Sequence, residues 1–174
     1  VTHTEFIQNI TASIPAGATT SVFDITAFPL NPGMSNTFPF LSQIAQNYVL
    51  FEPQGLIFQY KPTSGEYGAS GANQLGKVIL ATNYDPDAPA FINSVQMENY
   101  DYANSSKPSC GILHGVECAA RQRANISMYT RTGVSSKDKV FTDLGTFFVA
   151  TEGVTGAANE NGYRPIVGEL WVTY

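Results

Sequence analysis

The chain has 174 residues, 43% of them hydrophobic but only 13% charged, with a formal net charge of -5 and a pI near 4.9. That length suits one domain whose core needs no staples, and the charged share is well below the usual value of about 25%. The acidic balance argues against binding nucleic acid by bulk electrostatics, no apolar run reaches the roughly 18 residues of a bilayer span, and residues 1–20 lack the charged start and apolar core of a signal peptide.

Residues 3–12 (HTEFIQNITA) alternate loosely and predict a first strand; the turn Pro15–Ala18 and a second strand near Thr19–Ile25 would complete a hairpin. The stretch Phe28–Pro62 orders an extended entry, a helix and a strand. Pro29 and Pro32 stiffen the entry, Gly33, Ser35 and Asn36 offer a turn, and Phe38, Leu41, Ile44 and Ala45 recur at helical spacing. From Tyr48 to Tyr60, aromatic and branched residues predict one long strand. Gly65, Gly68 and Gly71 punctuate the connection Thr63–Asn73, which has no following helix whose amides could hold a phosphate.

Gly76–Tyr84 is a continuous apolar strand, and continuity predicts cover on both faces. Asp85-Pro86-Asp87 ends it. Phe91, Val95 and Met97 predict a short helix, followed by a polar connection over Asn99–Lys107. Ser109–Glu117 alternates again, placing Ile112, His114 and Val116 on one face and Leu113 on the other. Asn125–Arg131, Asp143–Glu152 and Ile166–Tyr174 complete a set of eight or so strands with two short helices, no repeat and no dividing linker. Long connections without alternating helices favour a β-sandwich over a parallel sheet.

Candidate chemistry is sparse. His3 and His114 are the only histidines, and neither has a nucleophile elbow or finger-like cysteine spacing around it, so His114 reads as a structural histidine. Cys110 and Cys118, about 26 Å apart in an extended strand at about 3.3 Å per residue, exceed the roughly 7 Å reach of a disulfide and are expected as two free, mostly buried thiols. Arg121, Arg123, Arg131, Lys137 and Lys139 are five of the nine basic residues, and form either a surface facing nucleic acid or a solvated loop. Glu117 with Glu152 or Glu169 could pair as glycosidase carboxylates. Tyr60, Tyr67, Tyr84, Tyr100, Tyr102 and Trp171 could stack on sugars, which keeps a carbohydrate-binding module as a second reading, although Trp171 in an alternating strand reads as core.

Four blocks, FPLNPG, FPFLSQIAQNY with LIFQY, VILATNYDPDAP, and LGTFFVATEG with VGELWVTY, occur in an order that resembles the shell domain of tombusvirus-type icosahedral coat proteins. Similar shells are encoded by some oomycete RNA viruses and by chimeric viruses with circular single-stranded DNA genomes. The resemblance implies an all-β, eight-stranded jelly roll, strands B to I in two four-stranded sheets, spanning 1–174. It implies a structural protein of the virion, not an enzyme, that assembles with copies of itself and needs no membrane. Phe38, Phe40 and Leu41 would lie on a helix beside subunit contacts, or in the core. The family's basic arm before the shell domain, which contacts the genome, and its projecting domain are both expected to be absent from this chain. No cofactor is certain, but calcium between subunits is implied, with Asp85 and Asp87 as metal ligands and Glu98, Asp101 or Asp138 as further donors. Only Pro86 separates the two aspartates, where family members commonly have two residues. Read from the residues alone, they are better suited as turn residues that cap backbone amides.

Overall fold

Strands that alternate apolar and polar residues must bury one face, and two such sheets packed together satisfy that need. The computed structural model describes residues 1–66, 75–119, 125–134 and 138–174. Its first antiparallel sheet takes the order β1 (Thr4–Thr11), β10 (Ile166–Thr173), β4 (Leu56–Pro62) and β7 (Ile112–Val116). The second takes β2 (Asp24–Pro29), β9 (Thr146–Glu152), β5 (Lys77–Asn83) and β6 (Asn104–Ser106). This is the expected eight-stranded jelly roll. A small ribbon, β3 (Leu50–Phe51) with β8 (Met128–Tyr129), flanks it.

The core lies between the sheets. Phe58 of β4 and Phe147 of β9 stack at 3.8 Å with 2° between their planes, joining the two layers through an aromatic pair. Tyr60, fully buried two residues after Phe58, has its hydroxyl between the Pro108 and Val167 carbonyls, at 2.7 and 2.9 Å, which share its one proton. Burial pushes that phenol up to about 12. Its ring fills the space above Gly168, where a Cβ would stand 2.3 Å from it.

The second sheet is covered on both sides, as the continuous strand predicts. Val78 and Leu80 face the first sheet, while Ile79 and Ala81 pack with Phe148 and Ala150 under Phe91 and Met97. Met97 belongs to α2 (Ser94–Glu98), whose Asn93 cap accepts from the Gln96 amide at 2.8 Å. By contrast, the outer face of the first sheet carries Phe6, Ile57 and Leu113 exposed.

Several boundaries differ from the sequence reading, each for a local reason. The long strand over Tyr48–Tyr60 is broken between Phe51 and Leu56, because Pro53 has no N–H for a ladder and Gly55 favours a bend. The first helix is shorter than its apolar spacing, α1 (Leu41–Ala45). The first hairpin does not form: only an isolated Ser13–Val22 bridge links its arms, and β1 and β2 enter different sheets. β6 lies inside the connection read as polar loop, since short edge strands of Asn and Ser carry no apolar signal. Of the glycine-rich connection, Tyr67, Gly68, Gly71 and Asn73 lie outside the described residues.

Candidate functional site

Asn31, Pro32 and Gly33 of the entry motif form the anchor of one end of the sandwich. The Asn31 amide is wholly buried, donates to the Tyr129 and Thr142 carbonyls at 2.9 and 2.6 Å, and accepts from the Gly33 and Arg131 amides at 3.0 and 3.2 Å. Beside it the Arg131 guanidinium makes a two-pronged pair with Asp143, Nε to Oδ1 at 2.7 Å and Nη2 to Oδ2 at 2.5 Å. The Arg131 carbonyl passes so close to Gly33 that a Cβ there would lie 2.3 Å away. This polar knot ties the segment after β2 to β8 and to the turn before β9. It takes Arg131 out of the basic cluster, while the half-exposed Lys139 ammonium stands 3.8 Å from Asp87. Arg121, Arg123 and Lys137 lie outside the described residues.

The knot positions α1 and β3, and with them an apolar edge. From β1, the Glu5 carboxylate accepts from the Phe40 amide at 2.5 Å, fixing the helix entry. Phe38 is core and Leu41 packs against the core, whereas Phe40, Tyr48, Val49 and Leu50 are exposed, Val49 by 71%. Leu50 pairs across the ribbon with Tyr129, and the Thr130 amide donates to the Val49 carbonyl at 2.9 Å. No residue between Asp24 and Glu52 is charged. Further exposed apolar side chains, Ile92, Val95 and Tyr102, lie before, on and after α2, with Tyr102 held at φ 58. A left-handed backbone at a non-glycine residue costs about 1 kcal/mol or more.

Asp85 and Asp87 are both exposed in the turn that leaves β5. Asn83 Oδ1 accepts from the Asp85 amide at 2.9 Å and from the Tyr100 hydroxyl at 2.9 Å, and Asp85 Oδ1 accepts from the Asp87 amide at 3.1 Å. The turn-cap reading therefore describes Asp85 within one copy. Of the other acids named from sequence, Glu98 pairs with Lys77 at 3.0 Å and Asp138 caps Val140 at 3.0 Å. Among the described residues no three His, Cys, Asp or Glu side chains converge on a metal position. Calcium needs about six to eight oxygens, and the described residues of a single copy do not gather them around Asp85 and Asp87.

His114 bridges the sheets. Its Nδ1 faces Asn104 Oδ1 at 3.1 Å and its Nε2 faces Thr82 Oγ1 at 2.8 Å, with the Phe147 ring 5.5 Å away. The amide oxygen only accepts, so Nδ1 carries the proton and the Thr82 hydroxyl donates to Nε2. Burial lowers the imidazole to about 4. It is a neutral structural group, as its sequence position suggested. The suggested carboxylate pairs do not share a site: Glu152 pairs with Lys77 on the second sheet, and Glu169 bonds the Trp171 indole on the outer face of the first. Trp171 is thus not core. Alternation puts Leu170 and Val172 inside and leaves Trp171 outside, against Phe6 and under the Lys61 ammonium at 3.8 Å. No disulfide joins Cys110 and Cys118, which are half-buried.

The family model for the viral coat protein S domain matches residues 1–174. The chain belongs to that coat protein family. It is 26% identical over 175 residues to the capsid protein of Oat chlorotic stunt virus, covering all of this chain and 35% of that protein. It is 24% identical to the capsid protein of Melon necrotic spot virus, covering 40% of it. The chain therefore spans well under half the length of these two relatives. Among solved structures, Melon necrotic spot virus superposes with a TM-score of 0.73 at 24% identity, over the whole chain and 52% of its own. Tobacco necrosis virus superposes at 0.77 and 17% identity, over the whole chain and 91% of its own. Residues 1–174 are thus a viral coat protein S domain, built as a jelly roll.

Proposed function

We propose that residues 1–174 form one shell domain that packs edge to edge with copies of itself into an icosahedral wall around a genome, with no catalytic role. The observation that carries this is the exposed, uncharged apolar edge of α1 and β3, on a chain that matches the S-domain family from end to end. Side chains of that kind gain about 25 cal/mol for each Å² of apolar surface withdrawn from water, and depletion of charge is the mark of interface centres. Genome contact falls to a basic segment outside residues 1–174, since the charge of this segment is -5 and Arg131 is spent internally. Electron microscopy of the purified protein tests the reading. Closed shells are expected, and material that stays monomeric across a range of calcium concentration and pH refutes it.

Calcium is part of the proposal. Asp85 and Asp87 of one copy would meet oxygen donors of the next, the ion offsetting the repulsion between acidic subunits. Replacing both with Asn should leave the circular dichroism spectrum unchanged and loosen the particle. A particle indifferent to that change and to a chelator removes calcium from the account.

A further inference from the structure

Lys139 lies far from Asp87 in sequence, yet its ammonium stands 3.8 Å from the Asp87 carboxylate, with both side chains about half-exposed. Its backbone is anchored beside the polar knot. The Lys139 carbonyl accepts from the Thr142 and Asp143 amides at 3.0 and 2.8 Å, and those two residues hold Asn31 and Arg131. The neighbouring acid, Asp138, is occupied in capping the Val140 amide at 3.0 Å. The acidic turn is fixed as well, because the Asn83 and Asp85 side chains accept from the Asp85 and Asp87 amides at 2.9 and 3.1 Å. Two anchored segments thus bring ammonium and carboxylate together, and keeping them close orders little further backbone.

A lysine ammonium is a compact, strongly hydrated charge with donors only. It neutralises Asp87 but offers no oxygen to a metal ion, and a divalent cation at the turn meets it as a like charge. From this we infer that Lys139 sets the divalent-cation affinity of the acidic turn, acting as a resident counter-ion on Asp87 that calcium has to displace. This rests on calcium sitting at Asp85 and Asp87 as proposed above, and adds the residue that tunes it. Half-exposed ion pairs are worth little, so the ammonium yields to the ion and does not bar it. Its repulsion of a divalent ion a few Å away, in water and salt, amounts to about a three- to tenfold loss of affinity.

Shells of the purified protein titrated with free calcium in chelator buffers test this, with sedimentation reading the midpoint between loosened and compact particles. Lys139→Met keeps the length of the side chain and removes its charge, so the midpoint should fall about three- to tenfold. Lys139→Glu, which adds carboxylate oxygens, should lower it further, and Lys139→Arg, which keeps the charge, should leave it nearly unchanged. The direction separates tuning from bracing: a lysine that only supported the knot would, on removal, loosen the shells and raise the midpoint. Wild-type protein that forms no shells, or shells indifferent to calcium and chelator, overturns the calcium reading and the role of Lys139 together. Wild-type shells that respond to calcium, while the Met and Glu variants behave alike with them, need more calcium or fail to assemble, overturn the role of Lys139 alone.

Discussion

The histidine between the sheets makes a quantitative prediction about acid. His114 is 2% exposed and is held by Thr82 and Asn104, both uncharged, against the Phe147 ring, so nothing around it compensates an imidazolium. Its native value is about 4, against 6.5 for the ordinary group. A value depressed by folding means that the unfolded chain binds the proton more readily, so stability rises with pH through that window. The contribution is fully present above pH 6.5 and is lost as pH falls from 6.5 towards 4. At about 1.36 kcal/mol for each pH unit, the full interval is worth about 3 kcal/mol. Urea unfolding of the wild type and of His114→Gln at pH 7.5, 6.5, 5.5 and 4.5 measures it. The variant starts less stable, because it loses shape and hydrogen bonds, but it lacks this titration. The gap between the two should therefore narrow by about 2–3 kcal/mol between pH 7.5 and 4.5. Parallel curves, or an imidazole midpoint near 6.5 by nuclear magnetic resonance, would refute the reasoning.

Three other outcomes are expected. Phe147→Ala removes one half of the stacked pair and should cost about 3–5 kcal/mol in urea unfolding, with a coupling to Phe58 of about 1 kcal/mol in a double-mutant cycle. Asp143→Ala strands a buried guanidinium and should cost about 3–5 kcal/mol; combining it with Arg131→Met should recover part of that loss in the same assay. Val49→Glu alters an exposed residue, so melting temperature should hold within a few degrees while sedimentation shows shells replaced by free subunits.

Sequence periodicity was enough for the layers and most strands, because burial imposes a period of two wherever a strand has one wet face. Ile112, His114 and Val116 facing inward, with Leu113 outward, follow that rule directly. It failed where main-chain chemistry overrides apolar content, as at Pro53 and Gly55, and where alternation had to be phased, as at Trp171. The knot of Asn31, Arg131 and Asp143 had no signal, because Asn31 lies 100 residues or more before the other two and an interior arginine looks like a surface one until its partner is placed. Asp85 and Asp87 were legible as a turn, but whether they also bind an ion depends on atoms of another copy.

That knot also bears on when the apolar edge comes into being during synthesis. Apart from nearby Gly33, the Asn31 side chain finds its partners at Tyr129, Arg131 and Thr142, and Leu50 finds its ribbon mate at Tyr129. Contacts so distant in sequence close late, after the loop entropy between them has been overcome. A nascent chain on the ribosome thus cannot display a finished α1–β3 edge until four-fifths of the domain has emerged.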